Sequence, residues 1–202
     1  MKTKENTIAN FKEFLLLQES LTKKTNYIKL GEKYINMFNQ VLDAKKYLQI
    51  SLFNVNNKQY YCILIMKDSK LEPHFGVFYE NKFNELLEAF KNKDTKKISD
   101  LVNSELFIQK DGYLNSDVNF LKVLSYVFSV LVDYLAIKPI GFVKIMGIPR
   151  KFNLYQKVVK NIIQKNEIPY HIVVEEQDDS YSSKITGQIN PAKSMILKYN
   201  FA

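Results

Sequence analysis

The feature that most constrains the fold is a long helical segment that is apolar on nearly every side. Asn115, Ser116 and Asp117 form a good helix start, and the helical pattern continues to about Ala136. Its apolar positions are Phe120, Leu121, Leu124, Val127, Phe128, Leu131, Tyr134 and Leu135. A helix with so little polar surface has to be buried on nearly all sides. The sequence therefore predicts a core helix against which the rest of the chain packs.

The middle of the chain has the pattern of an antiparallel meander. Residues 48–55 and 58–67 are rich in strand-forming residues, and Asn56-Asn57 between them is a turn signal. We expect a loop over 68–73 and a third strand over 75–79. An amphipathic helix around Phe83–Phe90, a short helix over 98–102, a weak strand over 106–109 and a turn at 111–112 are predicted to follow.

The last part of the chain reads as helix, strand, helix, strand, strand. The predicted elements after the core helix are a strand over 139–146, a turn over 147–149, a helix over 150–166, a strand over 170–175, a polar hairpin loop over 177–192 and a strand over 195–201. A meander followed by this crossover gives a mixed, mostly antiparallel sheet with packed helices. The predicted fold class is therefore α+β.

Two helices are predicted at the N-terminus, one over 8–20 and one that begins after Gly31. They suggest an N-terminal helical arm over residues 1–47 and an α+β body over 48–202, with a single domain overall. The polar start of the chain does not fit a secretory signal. The core helix carries Lys122 and Asp133, and its apolar run is too short and too charged for a membrane span.

Motifs for the common catalytic chemistries are missing from the sequence. No Gly-x-Ser-x-Gly occurs, and six glycines form no phosphate loop or dinucleotide fingerprint. The single cysteine, Cys62, lies in an apolar run that is typical of a buried strand. The acidic run over 175–179 is more typical of solvated side chains than of a cation site. We therefore predict no catalytic residue, no metal site and no cofactor.

One segment breaks a local rule. Helix starts favour acidic residues, because the free backbone amides there carry partial positive charge. The helix after Gly147 instead begins with Arg150 and Lys151. The free amides and Arg150 could bind a phosphate, a carboxylate or a partner protein, or Arg150 could pair with an acid of its own fold or of a neighbouring subunit. Tyr155 points toward the core by period, where its hydroxyl needs a partner.

The same region carries a resemblance. The residues that carry it are Asp117–Leu124, Val127, Pro139, Val143, Gly147, Arg150, Leu154, Tyr155 and Ile162. This pattern resembles small uncharacterised proteins of Bacteroidota and of tailed phages, over about residues 115–175. In those proteins an apolar helix leads to a strand, and a turn with Arg and Leu-Tyr opens the next helix. The Leu-Tyr start is also similar to the late part of acetyltransferase-like folds, whose Gly-rich pyrophosphate loop is missing here.

Three functions follow as hypotheses. The resemblance implies a non-enzymatic, phage-type structural or assembly protein, located in the virion or host cytoplasm, whose partners are other subunits in an oligomer. The net charge of +8 and a basic helix face at Lys157 and Lys160 suggest a nucleic-acid-binding accessory protein. The third hypothesis is an acyltransferase-like fold, active or decayed.

Overall fold

The computed structural model describes residues 27–41, 46–101, 117–165, 167–182 and 189–200. The elements in chain order are β1 (Ile28–Lys29), α1 (Glu32–Val41), β2 (Lys46–Val55), β3 (Lys58–Lys67), β4 (Lys70–Val77), α2 (Glu80–Lys91), α3 (Thr95–Asp100), α4 (Asp117–Ile137), β5 (Phe142–Gly147), α5 (Pro149–Gln164), β6 (Tyr170–Ser182) and β7 (Ile189–Tyr199).

The strands form one mixed sheet in the order β1-β2-β3-β4-β5-β7-β6. Every neighbouring pair is antiparallel except β4 and β5, which run parallel with Leu71 opposite Val143. The parallel step follows from the long crossover through α2, α3 and α4, because parallel neighbours cannot be joined by a hairpin. The predicted α+β class with a mixed, mostly antiparallel sheet is confirmed.

The core depends on β3, which is buried on both faces. Tyr60, Cys62 and Leu64 belong to the cluster that includes α4 and α5. The alternating residues Tyr61 and Ile63 belong to a second cluster with α1, α2 and α3. Because successive side chains of a strand point to opposite faces, this single strand connects the two hydrophobic layers.

Helix α4 is the predicted core helix. Val123, Leu124 and Val130 are fully buried, and Leu131 is almost so. Its segment Phe120–Ile137 is long and apolar enough to cross a membrane by length and composition, and more than half of it is buried against the rest of the fold. The core helices of globular proteins can be equally long and apolar. Helix α4 contacts β2, β3 and β4, as a core helix does.

The loop predicted over 68–73 is wrong. Asp68 and Ser69 both have positive φ, 48° and 60°, and form a two-residue turn that joins β3 directly to β4. Positive φ at both central residues matches the twist of a hairpin. The third strand therefore covers Lys70–Val77 rather than 75–79, and it includes Pro73. The predicted turn at Asn56-Asn57 has the same geometry and is confirmed.

The largest correction concerns the polar hairpin loop predicted over 177–192. Strand β6 continues to Ser182 and β7 begins at Ile189, with Ser182 opposite Ile189. This stretch lacks an apolar face because it extends beyond the end of β5, where Gly147 faces Lys193. Most of its described side chains are polar and exposed, so the periodicity of a buried strand is missing.

The strand predicted from Pro139 begins three residues later, at Phe142. Ile140 is held by the Tyr170 hydroxyl, which accepts from the Ile140 amide at 2.9 Å and donates to its carbonyl at 2.6 Å. These two bonds occupy the backbone groups that a strand would use for its ladder. Helix α5 begins at Pro149 and ends at Gln164, close to the predicted bounds.

Residues 27–41 of the predicted N-terminal arm pack on the body. Strand β1 pairs with β2, with Ile28 opposite Leu52. Phe38 on α1 is buried in the second cluster, and the Tyr27 hydroxyl donates to Asp133 of α4 at 2.6 Å. The helix predicted over 8–20, the strand over 106–109 and the turn at 111–112 lie outside the described residues.

The β1 side of the sheet is closed by α1 as well as by β1. Asn39 accepts from the Tyr47 amide at 2.7 Å and donates to the Tyr47 carbonyl at 3.0 Å. Farther along β2, the Leu30 amide donates to the carbonyl of Ile50 at 2.9 Å. These contacts satisfy backbone groups that an edge strand would otherwise expose to a second chain.

Replacing Asn39 with Ala tests this closure. Because both backbone groups of the buried Tyr47 would lose their partner, we expect a loss of about 1–3 kcal/mol in the free energy of unfolding. Denaturant unfolding measures it. The control is Asn36→Ala, an exposed position on the same helix, where alanine should be neutral or slightly stabilising. Equal stability of the two variants would contradict the proposed capping.

Candidate interaction surface

Gly147 is the last residue of β5, and its role is packing. A Cβ at this position would lie 2.7 Å from Cε2 of Tyr155. The Tyr155 ring is itself held between Phe120, at a centroid distance of 6.0 Å, and Phe152. The glycine therefore gives space to a buried tyrosine of the next helix. This is the core position that the sequence predicted for Tyr155.

Arg150 and Lys151 lie in the first turn of α5. Ile148 precedes the helix in extended conformation, as expected before a proline, and makes no side-chain cap. Pro149 at the first helical position has no N–H to satisfy. The ammonium of Lys151 lies 3.9 Å from the centre of the Phe120 ring, which is a cation–π contact with the core helix. Lys151 is thus used within the fold, while Arg150 is exposed.

Lys157 and Lys160 are exposed on the outer side of α5. The two differ in what they contact, because the Lys160 ammonium forms an ion pair with Glu175 of β6. Beside this pair, the Gln156 side chain donates to the backbone carbonyl of Glu175 at 3.1 Å. The predicted basic face is therefore partly neutralised by β6.

The acidic residues of β6 form ion pairs with three different elements. Their carboxylates meet lysines from α5, β7 and β5: Glu175 with Lys160, Glu176 with Lys193, and Asp179 with Lys144 at 2.6 Å. The exposed pairs contribute little each, about 0–1 kcal/mol. The pair of Asp179 and Lys144 is more strongly desolvated, with side chains only 20% and 19% exposed. It fixes β6 to β5 across the intervening strand.

Lys144 also lies near a second carboxylate. Burial alone would raise the pKa of Glu72, but a hydrogen bond from His74 at 3.1 Å and the charges of His74, Lys144 and Lys67 lower it below the ordinary value. Burial likewise opposes ionisation of Asp179, and hydrogen bonds from Lys144, the Ser180 amide and Ser194 lower its pKa. Both carboxylates are therefore charged at neutral pH.

No group of three or more His, Cys, Asp or Glu side chains that could hold a metal ion occurs in the described part of the chain. Cys62 is fully buried, and burial raises the pKa of its thiol, so it is held as the protonated core residue that the sequence predicted. The chemistry of the described polar side chains is that of ion pairing and hydrogen bonding between elements.

The two ends of the sheet differ in how they are closed. Strand β6 has thirteen residues and is the last strand of the sheet, whereas β1 at the other end has two. Beyond Lys193 the strands β6 and β7 continue as a two-stranded ribbon, and Ile189 near its tip is 75% exposed. Val173, on the body part of β6, is 45% exposed. We refer to the outer backbone edge of β6 and this ribbon as the β6 surface.

The residues singled out from the sequence lie beside this surface rather than at its centre. Arg150 and Lys151 are at the start of α5, and Lys160 on the same helix contacts β6. Sequence reasoning missed Lys144, Lys193 and Val173. The signal that could have found Lys144 is its alternation with apolar residues in Val143–Ile145, whereas Lys193, between Ala192 and Ser194, carries no such signal.

Comparison of the chain with protein-family models, with curated protein sequences and with solved structures gives no match.

The close approach at Gly147 predicts an effect on stability. Because the added methyl of Gly147→Ala would overlap the packed ring of Tyr155, we expect a loss of about 1–3 kcal/mol in the free energy of unfolding. Gly141→Ala is the matched control, since a Cβ there meets nothing within 4 Å. Thermal or denaturant unfolding of both variants measures the difference. A Gly147→Ala protein as stable as Gly141→Ala would contradict the packing role.

The Asp179–Lys144 pair predicts a pH dependence. The folded state lowers the pKa of Asp179, so the pair stabilises above the unfolded value of about 3.9 and loses its contribution as pH falls through the folded value. We therefore expect Asp179→Asn to be less stable than the wild type at neutral pH and the gap to narrow as the pH falls below the unfolded pKa of about 3.9. Denaturant midpoints across this range measure it. A gap that does not change with pH would contradict the pairing.

Proposed function

We propose that the chain is a non-enzymatic, phage-type structural or assembly protein that acts through protein–protein surfaces, in the virion or in the host cytoplasm. The observation that carries the proposal is the β6 surface. A long strand edge and a projecting ribbon lie at one end of the sheet, while the other end is closed by β1 and by Asn39. Exposed strand edges pair readily with other chains, and most proteins cover or blunt them.

The ion pairs of β6 support the same role. A strand that pairs with a partner has to keep its position whether or not the partner is bound. Lys160, Lys193 and Lys144 attach β6 on its inner side and leave its outer edge free of a neighbouring strand in the described residues. These ion pairs add to the backbone ladder with β7 and to the buried side chain of Tyr170, which hold β6 in the sheet.

Nucleic-acid binding is less well supported by the geometry. It depended on the basic face of α5, where Glu175 offsets the charge of Lys160. Phosphate contacts require lysines whose charge is available. For an acyltransferase-like activity, no observation in the described residues adds to the sequence pattern from which it was suggested.

The tip of the ribbon gives an experiment. The full chain is purified, and its mass is measured by light scattering from low to high micromolar concentration, with electron microscopy of the largest species. We expect assemblies larger than the monomer. Ile189→Asp should reduce the amount of these assemblies, because it replaces a 75% exposed apolar side chain near the tip with a charged one.

Ile137→Asp is the control for this experiment. Ile137 is 70% exposed at the end of α4, before β5, whereas the ribbon extends beyond the other end of β5. A charge there should leave the assemblies unchanged. A monomeric wild type at all concentrations and without any assembly by microscopy would contradict the proposed function. Equal loss of assembly in both variants would contradict the role of the ribbon.

A further inference from the structure

We propose that one face of the sheet, at the end where β3 turns into β4, binds single-stranded nucleic acid through a row of lysines that includes an exposed phenylalanine. The row consists of Lys67, Lys70, Phe142 and Lys198, and we refer to it as the basic row. The inference goes beyond the proposed function, because it names a partner that is not a protein subunit. It uses neither the outer edge of β6 nor the basic face of α5.

The register of four neighbouring strands places these residues side by side. Lys67 of β3 is opposite Lys70 of β4. In the parallel pair of β4 and β5, the residues that follow Lys70 and Phe142 are partners, so Lys70 and Phe142 are level as well. Phe142 is in turn opposite Lys198 of β7. Because neighbouring strands are about 4.8 Å apart, the basic row crosses roughly 14 Å of the sheet.

The basic row lies on the face of the sheet that points away from α4 and α5. The chain neighbours of its last three residues, Leu71, Val143 and Leu197, are fully buried in the cluster that includes these two helices. Since successive side chains of a strand alternate, the row itself lies on the opposite face. There the buried cluster with α1, α2 and α3 includes residues of β2 and β3, but among the described residues none of β4, β5 or β7. The row therefore starts beside these helices and extends over strands outside their cluster.

The lysine charges of the basic row are available to an outside partner. Lys67 and Lys198 are exposed, and Lys70 is partly exposed. In the part of the chain that the structure describes, none of the three makes an ion pair, in contrast to the lysines that contact β6. Lys46, which is exposed and lies opposite Met66, adds a fourth such lysine at the same end of the sheet.

The carboxylates near the row offset only part of this charge. Asp68 is an exposed acid in the turn between Lys67 and Lys70. Glu72 lies farther along β4, where it is 8% exposed and hydrogen-bonded to His74 at 3.1 Å. Lys67 is close enough to act on the Glu72 carboxylate, which is itself closed off from solvent. The row and Lys46 thus keep an excess of positive charge, which an anionic partner would complement.

Phe142 selects the class of anion. It is 38% exposed, and it is the only aromatic residue among the exposed large apolar residues of the described ranges. An acidic peptide would pair with the lysines and leave the ring in water. A single strand of nucleic acid offers phosphates and unstacked bases together, so a base can stack on the ring while the lysines contact phosphates. A duplex keeps its bases stacked inside, and we therefore expect a preference for single strands.

The lysines are tested by the salt dependence of binding. The full chain is titrated into a fluorescent oligothymidine on the order of ten nucleotides long, and anisotropy gives the affinity. Three phosphate contacts to a single strand predict a slope of about −2 for the logarithm of affinity against that of salt. Lys67→Gln and Lys198→Gln should each weaken binding and make the slope shallower by about 0.7. The matched control is Lys58→Gln, an exposed lysine at the other end of β3, which should change neither.

The ring is tested by two substitutions of Phe142. Phe142→Leu keeps an apolar side chain but removes the stacking surface, so the affinity should fall about fivefold or more while the salt slope stays the same. Phe142→Tyr keeps a ring and should bind like the wild type. Thermal unfolding of both variants checks that the fold is retained. Equal affinity of Phe142→Leu and Phe142→Tyr would overturn the stacking contact.

Two competitors and one parallel measurement close the experiment. Absence of binding at low salt, or an equal loss of affinity in Lys67→Gln and Lys58→Gln, overturns the basic row as a site. A duplex of the same sequence or polyglutamate that competes as well as the single strand overturns the choice of partner. Light scattering of the same variants measures assembly separately. Loss of oligothymidine binding with assembly intact therefore leaves the proposed function standing, and the reverse result contradicts the proposed function alone.

Discussion

The structure depends on the burial of β3 on both faces. Tyr60, Cys62 and Leu64 pack under α4 and α5, while Tyr61 and Ile63 pack under the smaller helices. Fully burying one large apolar side chain contributes about 1.5–3 kcal/mol, so a strand with such residues on both faces holds two layers at once. With the centre of the sheet fixed in this way, its two ends can serve different purposes.

The ends are stabilised by different forces. On the β1 side, hydrogen bonds from Asn39 and Leu30 satisfy the backbone of β2. On the β6 side, lysines of three elements hold an acidic strand by its side chains and leave its outer backbone edge unpaired in the described residues. This asymmetry is the physical basis of the proposed function, because an open edge offers hydrogen bonds to another chain.

Most of the fold could be predicted from the sequence, because its buried elements carry clear periodicity. Helix α4 and the β2–β3 hairpin follow the expected patterns closely. The errors fall where polar residues carry no apolar periodicity: Asp68-Ser69 form a tight turn with positive φ, and the described ribbon residues 177–182 and 189–192 are extended but mostly polar. The candidate site was less predictable. Gly147 and Tyr155 pack against each other, and the lysines that form ion pairs with β6 lie in distant parts of the chain.

The central claim is that the outer edge of β6, which has no neighbouring strand among the described residues, becomes paired when the protein assembles. Hydrogen–deuterium exchange of the backbone amides, measured at a dilute and a concentrated protein solution, tests it most directly. We predict slow exchange of β3 in both samples, because both of its faces are buried and both of its neighbours are paired. In β6, amides around Val173 should exchange faster in the dilute sample and become protected in the concentrated one. Equal exchange of these amides at the two concentrations would contradict the account.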